Sequence, residues 1–227
     1  INHDDKTGIE AALQLKEQLG GTVTVVSMGP PQADVALREA LAMGCDDAYL
    51  VSAREFGGSD TYATSGIIAA ALKKIGYDLI ITGRQAIDGD TAQVGPQIAE
   101  KLSLPQVSYV EEVIEATEEY VVVKRQYEDG YHIIKIKTPC LLTAIAELAT
   151  PRYMSVRGIV EAYEAEIKVL GFEDLKDELE LDMIGLKGSP TNVYKSFTKE
   201  VKGAGTVYPD LTAEEAVDVI LKKLEEK

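Results

Sequence analysis

The chain has 227 residues, of which 45% are hydrophobic, enough for one large α/β domain or for a domain with an extension. Its 38 acidic and 23 basic residues give a net charge of −15, which argues against nucleic acid or an anionic membrane as a partner. Two cysteines and two histidines are too few for a disulfide framework, a Ser-His-Asp or Cys-His catalytic group, or a histidine-rich metal site. We therefore expect neither a hydrolase nor a metal centre. No apolar run approaches the length of a membrane span, and residue 1 has the character of mid-domain sequence and not of a signal peptide.

Helix and strand patterns alternate through the first hundred residues. Thr7 and Glu10 match a T-x-x-E capping box, which predicts a helix over 7–19, and the β-branched run 22–27 predicts a strand. Such alternation is typical of a parallel sheet with helices on both faces. The further elements expected here are helix 32–43, strand 48–51, helix 61–75 capped by Asp60 or Thr61, strand 78–82, and helix 91–102 capped by Asp90 or Thr91.

A candidate anion site follows the strand 78–82. The polar turn from Arg84 to Asp90 leads to a helix whose first backbone N–H groups have no partner inside the helix. The small residues Gly89 and Ala92 would let a ligand approach that backbone, and the Thr91 hydroxyl and Gln93 amide add neutral donors. An ordinary capped turn has the same pattern, so a nucleotide site and a structural turn are both open at this point. Asp88 and Asp90 could hold Mg²⁺, but no Walker motif accompanies them, and turn and capping roles account for both.

Ligands in doubly wound sheets bind at the carboxyl ends of the strands. This rule places the loop 27–29 and the loop 83–94 along one edge of the predicted sheet, which strengthens the nucleotide interpretation.

The pattern changes after Pro105. We expect a strand over 107–113, an antiparallel hairpin of strands 120–126 and 131–137, a buried strand over 139–144, and a last helix over 212–226 capped by Thr212 and Glu215. Hydrophobic density falls after residue 150, which predicts a nucleotide-binding α/β domain over 1–149 and a C-terminal extension over 150–227 that lies on another protein. Arg152 is either a catalytic cation or anion clamp, or else the partner of a carboxylate. Tyr153 and Val156 are either exposed contacts or buried anchors.

Five segments in the same order carry a family likeness over nearly the whole chain. They are Asn2–Asp5 with the helix behind it, 27–51, 82–96, 124–143 and 151–159. They resemble the β (small) subunit of the electron transfer flavoproteins. The resemblance implies a Rossmann-like, adenine nucleotide α-hydrolase-like parallel sheet with an antiparallel hairpin and an extended C-terminal arm. It also implies a heterodimer with an FAD-carrying α subunit, in the cytoplasm of an anaerobic bacterium or archaeon.

The resemblance further implies where a nucleotide binds and which one it is. The segment DGDTAQVGP (88–96) is similar to the electron-bifurcating members, in which the β subunit holds a second FAD. That FAD takes a hydride from NADH and sends one electron to ferredoxin or flavodoxin and the other to an acyl-CoA dehydrogenase. The alternative is a structural AMP, as in the housekeeping members. The expected cofactor-binding residues are Asn2, His3, Asp4, Asp5, Ser27, Met28, Gly83, Arg84, Gln85, Ala86, Ile87, Asp88, Gly89, Asp90, Thr91, Ala92, Gln93 and Val94. No side chain is expected to be catalytic, because the flavin supplies the chemistry.

The segment around Tyr153 to Val156 matches the part of the family that docks the dehydrogenase, with Val156 at the apolar anchoring position. Mitochondrial members have a lysine-rich run after it, whereas this chain has three glutamates, Glu161, Glu164 and Glu166. We therefore expect a different docking surface. Family members also begin with a strand and loop that these residues do not contain, which implies that one central strand lies outside them. A stand-alone protein of the same sheet architecture is a third interpretation, against which the weakly hydrophobic last third argues.

Overall fold

The computed structural model describes residues 1–191, 193–198, 203 and 205–225. The chain divides into two compact units, Ile1–Asn192 and Val193–Lys227. The first unit contains, in chain order, α1 (His3–Leu19), β1 (Thr24–Met28), α2 (Asp34–Met43), β2 (Asp47–Val51), α3 (Thr61–Ile75), β3 (Leu79–Gly83), α4 (Val94–Leu102), β4 (Gln106–Ala116), β5 (Tyr120–Tyr127), β6 (Gly130–Lys137), β7 (Cys140–Ala144), α5 (Val156–Glu164), β8 (Lys168–Leu170), α6 (Phe172–Leu175) and α7 (Gly185–Gly188). The predicted α/β class is confirmed.

The strands of the first unit form two sheets, where the sequence pattern predicted one. The order is β1-β2-β8 in a parallel sheet, and β3-β7-β4-β5-β6 in a mixed sheet. In the mixed sheet β3, β7 and β4 are parallel, and the predicted antiparallel hairpin of β5 and β6 is confirmed. Strands β1 and β3 each form one end of a sheet: among the described strands, β1 pairs only with β2 and β3 only with β7.

An apolar core nevertheless continues between the two sheets. Val26 on β1 packs both against the cluster that holds Val51 and Ile67 and against the cluster that holds Leu72 and Ile80. Helix α3 supplies residues to both clusters. Strand β7 is buried along its whole length, as expected for a parallel strand between two neighbours. Its Leu141 is fully buried, so truncation to Ala would cost about 2–5 kcal/mol.

Two predicted helix starts are wrong, and each error has a physical cause. Helix α1 begins at His3, and Thr7 is buried inside it instead of capping it. Helix α4 begins at Val94, three residues later than predicted, because Asp90 and Ala92 have φ angles of 49° and 53°. A right-handed helix cannot include those angles. By contrast, Asp60 caps α3 as predicted, with its Oδ1 accepting a hydrogen bond from the Ala63 amide at 3.1 Å.

Residues 150–191 lie within the first compact unit, Ile1–Asn192. Helix α5 packs on α2, and β8 pairs with β2. The segment is poor in hydrophobic residues, but three of them, Leu170, Leu175 and Ile184, are buried in the core. Low average hydrophobicity therefore concealed a few well-placed core residues.

The second unit contains one helix among its described residues, α8 (Ala213–Glu225). Thr212 and Glu215 form the predicted reciprocal cap: the Thr212 amide donates to Glu215 Oε2 at 2.8 Å, and the Glu215 amide donates to Thr212 Oγ1 at 3.3 Å. The predicted end of this helix at 226 lies outside the described residues. Across the described ranges, no helix is long and apolar enough to cross a membrane.

Arg152 fastens the segment before α5 to α1. Its Nε and Nη2 donate to the two carboxylate oxygens of Glu10 at 2.8 and 3.0 Å, and its Nη1 donates to Glu17 at 2.6 Å. Of the two roles left open for Arg152, the carboxylate pair is the observed one. Glu10 is only 4% exposed. Burial raises the pKa of this carboxyl, but hydrogen bonds from Arg152 and Gln14 outweigh that effect and hold it below its ordinary value.

We expect Arg152→Met to lower the free energy of unfolding by about 2–3 kcal/mol at neutral pH, because it leaves the buried Glu10 charge without its partner. The Arg152–Glu10 pair contributes fully to the free energy of unfolding at any pH above the ordinary carboxyl pKa. That contribution is lost as the pH falls through the lowered pKa of Glu10. The difference between wild type and variant should therefore shrink in acid. Urea unfolding at neutral and acidic pH measures both effects.

The matched control is Arg157→Met, which breaks a solvent-exposed pair with Glu161 at 2.6 Å and should leave the free energy of unfolding nearly unchanged. An equal loss of stability in the two variants would contradict the role given to Arg152.

Candidate nucleotide site

The candidate site is centred on the loop 84–93, which connects the end of β3 to the start of α4. The Asp90 amide donates to the Ala86 carbonyl at 2.9 Å, and the Gln85 side-chain amide donates to the Asp90 carboxylate. The Gly89 amide donates to Asp88 Oδ1 at 3.0 Å. Asp90 and Ala92 hold left-handed angles that cost non-glycine residues about 1–2 kcal/mol each. Such strain is concentrated at functional sites, which singles out this loop.

The start of α1 is joined to the end of β3 by two side chains. Asp5 Oδ1 accepts a hydrogen bond from the Gly83 amide at 2.6 Å. Asn2 Nδ2 donates to Asp5 Oδ2 and to the Gln85 carbonyl, both at 2.9 Å. Glycine is needed at position 83, because an added Cβ would lie 2.8 Å from both the amide nitrogen and the Oδ1 of Asp5. The structure therefore brings the segment 2–5 and the loop together.

Arg84 gives the site a cation. Its Nε lies 3.4 Å from Asp4 Oδ2, which makes an ion pair, yet Nε is buried and makes no hydrogen bond. The backbone of Arg84 is fixed by a 2.8 Å hydrogen bond from its amide to the Ala144 carbonyl. The guanidinium thus keeps unused donors beside the loop, which is the chemistry that a phosphate would engage.

The loop also offers backbone donors. Among the described residues, the amides of Thr91, Ala92 and Gln93 make no hydrogen bond. The Gln93 Oε1 accepts a hydrogen bond from Thr61 Oγ1 at 2.8 Å, which fixes the residue before α4. Residues 86–91 are exposed. Unpaired amides at a helix start attract anions because the helix dipole adds positive potential there.

Three of the predicted site residues make no hydrogen bond to the loop 84–93 within the described residues. His3 lies exposed in the first turn of α1 and makes no hydrogen bond or ion pair within the described residues. Ser27 and Met28 end β1, in the other sheet, and no hydrogen bond in the described part of the chain joins them to the loop. Met28 packs against the core cluster that contains Val51.

One residue of the site was missed by the sequence analysis. A Cβ added at Gly95 would lie 2.7 Å from Thr82 Oγ1 and 2.9 Å from Thr143 Cγ2. Gly95 therefore lets the first turn of α4 pack directly on β3 and β7, which positions the preceding amides. A glycine in the first turn of a helix that follows a strand and a loop was the available signal.

The two cysteines are unsuited to nucleophilic chemistry. Burial raises the pKa of Cys45 and of Cys140 to about 11, so both are protonated thiols at neutral pH. In the described residues no group of three or more His, Cys, Asp or Glu side chains could hold a metal ion. The loop offers backbone amides and a guanidinium, donors that a phosphate-bearing ligand could engage.

The predicted docking residues lie at the start of α5. Tyr153 is 99% exposed and Val156 is 81% exposed. Both side chains are therefore exposed and are not buried anchors. Ser155 caps the helix, with its Oγ accepting from the Gly158 amide at 2.9 Å.

Comparison with known proteins adds to this geometry. Residues 1–175 match the family described as electron transfer flavoprotein domain. The electron transfer subunit gamma of acryloyl-CoA reductase from Anaerotignum propionicum is 56% identical over 99% of this chain and 86% of its own length.

Two further relatives cover the whole of this chain. The electron transfer flavoprotein subunit beta of Clostridium acetobutylicum is 54% identical over 100% of this chain and 86% of its own length. Subunit CarD of the caffeyl-CoA reductase-Etf complex from Acetobacterium woodii is 50% identical over the same shares, 100% and 86%. With the family match over residues 1–175, these identities establish that the chain belongs to the electron transfer flavoprotein family and is similar to its β subunits.

Proposed function

We propose that this β-type subunit binds FAD and, with an α subunit, bifurcates the electrons of NADH. One electron goes to ferredoxin or flavodoxin and the other to an acyl-CoA dehydrogenase. The proposal rests on the contact between the segment 2–5 and a strained loop. That loop has free amides and an arginine whose buried Nε makes no hydrogen bond. We also propose a cytoplasmic location in an anaerobic bacterium or archaeon, as the family resemblance implies.

The residues present fit a dinucleotide. The Arg84 guanidinium and the amides of Thr91, Ala92 and Gln93 would bind the pyrophosphate, while Asp5 holds the loop in place. FAD, when bound, supplies the redox chemistry by accepting a hydride from NADH. The protein's own task would be to bind and orient it.

Two observations support FAD over AMP: the open space beside the tip of the loop, and the names of the similar proteins. A Cβ added at Gly89 would meet no atom within 4 Å, so the tip of the loop leaves room for a larger ligand. One relative is named as an electron transfer subunit of acryloyl-CoA reductase, and another as a subunit of a caffeyl-CoA reductase-Etf complex. AMP is the second candidate, because a single phosphate can use the same amides and Arg84. In that case the subunit would hold its nucleotide as a structural element and dock the dehydrogenase.

The proposed partner subunit has a candidate contact on α8. Four of its apolar residues, Val217, Ile220, Leu221 and Leu224, are exposed at the spacing i, i+3, i+4 and i+7. A helix that shows such a stripe to solvent is suited to a partner surface, and we propose that the α subunit covers it. Because an exposed apolar stripe needs a partner to cover it, the stripe on α8 argues against a stand-alone protein.

The functional test is an anaerobic assay of the co-expressed heterodimer. We expect ferredoxin to be reduced only when NADH, an acyl-CoA dehydrogenase and its enoyl-CoA acceptor are all present, since the downhill electron drives the uphill one. Two results would contradict bifurcation. One is reduction of ferredoxin by NADH without the dehydrogenase. The other is reduction of the dehydrogenase with no reduction of ferredoxin under any condition.

We expect Arg84→Met to weaken binding of the β-subunit nucleotide about 10- to 100-fold, because it removes a charge-assisted hydrogen bond to phosphate. The measurement is the amount of nucleotide that the heterodimer retains during dialysis. Arg54→Met, at an exposed arginine between β2 and α3, should retain the wild-type amount. Equal retention by both variants would show that Arg84 does not bind the ligand.

We expect Val156→Asp to reduce electron transfer to the acyl-CoA dehydrogenase at least tenfold at low dehydrogenase concentration, because it places a charge on an apolar contact. Nucleotide content should not change. Val35→Asp, at a valine that is 69% exposed on α2, is the matched control. Unaltered transfer by the Val156 variant would refute the docking role.

A further inference from the structure

The first turn of α3 reaches the candidate nucleotide site through one side chain. Thr61 Oγ1 donates a hydrogen bond of 2.8 Å to Gln93 Oε1. Gln93 is the last residue of the loop 84–93 and directly precedes α4. Thr61 belongs neither to that loop nor to the segment 2–5, so it contacts the site from a third element of the chain.

This hydrogen bond restrains the Gln93 side chain and leaves its donor group free. Gln93 is exposed, and its Nε2 makes no hydrogen bond within the described residues. A side-chain amide has two donor hydrogens on its nitrogen. Because Thr61 takes the amide oxygen, both donors remain available on a loop whose backbone amides at Thr91 and Ala92 are also unpaired. The Gln93 amide is therefore suited to bind an oxygen of a ligand.

Thr61 is held in place because Asp60, directly before it, is the centre of a clamp. Asp60 Oδ1 accepts from the Ala63 amide at 3.1 Å, and Oδ2 accepts from the amide and the hydroxyl of Thr191 at 2.9 and 2.8 Å. The Asp60 amide donates to the buried Ser189 Oγ at 2.8 Å. Burial raises the pKa of Asp60, but the hydrogen bonds from Ala63 and Thr191 outweigh that effect and hold it below its ordinary value. The clamp is thus charged at neutral pH and fixes the first turn of α3.

We propose that Thr61 is a positioning residue of the nucleotide site. It holds Gln93 so that the free Nε2 group donates a hydrogen bond to a phosphate oxygen of the bound nucleotide. A free glutamine side chain loses much conformational freedom when it binds a ligand, and a hydrogen bond formed beforehand reduces that loss. This inference rests on the proposed nucleotide binding and adds to it a residue that does not itself touch the ligand. FAD and AMP both carry the phosphate that it requires.

The test measures how fast the β-subunit nucleotide leaves the purified heterodimer during dialysis, with FAD and AMP separated and counted after acid release. Thr61→Val removes the hydroxyl and keeps the size of the side chain. We expect the nucleotide to leave about 3- to 10-fold faster, as for the loss of one hydrogen bond. Thr61→Ser keeps the hydroxyl and should restore the wild-type rate.

The matched control is Thr64→Val. Thr64 lies one turn later on α3, and its hydroxyl makes no hydrogen bond within the described part of the chain. This variant makes the same chemical change in the same helix, so it should release the nucleotide at the wild-type rate.

A double-mutant cycle separates positioning of Gln93 from general support of α3. Gln93→Ala alone should speed the loss of nucleotide at least as much as Thr61→Val does. If Thr61 acts through Gln93, Thr61→Val should have no further effect in the Gln93→Ala protein. An effect of Thr61→Val that persists in full there would overturn the inference.

The remaining outcomes separate this inference from the function on which it rests. If Arg84→Met speeds the loss of nucleotide and Thr61→Val does not, the inference is wrong and the proposed binding by Arg84 is supported. If neither variant speeds it, the proposed nucleotide site is wrong as well. Equal acceleration by Thr61→Val and Thr61→Ser, or by Thr61→Val and Thr64→Val, would show that the Thr61 hydroxyl is not responsible and would also overturn the inference.

Discussion

The candidate site depends above all on the Asp5 carboxylate. It accepts a hydrogen bond from the Gly83 amide at 2.6 Å and another from Asn2, which in turn holds the Gln85 carbonyl. Hydrogen bonds to a charged group contribute about 1.5–3 kcal/mol, enough to hold a loop that contains two left-handed non-glycine residues. The same helix carries Glu10, which binds Arg152 next to the exposed Tyr153. One helix therefore positions both the candidate nucleotide loop and the proposed docking segment.

Much of the fold was predictable because its signals are local. The Asp60 cap and the hairpin of β5 and β6 depend on residues close in sequence. The helix starts that failed depend on distant contacts or rare angles. Glu10 looked like part of a cap, but its partner Arg152 lies 142 residues away. Ala92 gave no sign of its positive φ, because non-glycine residues seldom adopt it.

Part of the candidate site was also predictable, because part of its signal lies in residues close in sequence. The strand, loop and helix start around Arg84 were visible in the sequence, whereas the close approach of Gly95 to Thr82 and Thr143 depends on packing between elements. Family membership rests on the comparisons, while the ligand is inferred from donors that this chain presents. We propose a subunit that binds and positions a redox group and directs its electrons through contacts with other proteins.

The most direct test of this account is the nucleotide content of the purified heterodimer. The nucleotides are released with acid, separated, and counted per pair of subunits. The account predicts two FAD and no AMP, one FAD for each subunit. One FAD and one AMP would contradict it and would make the nucleotide of this chain a structural one.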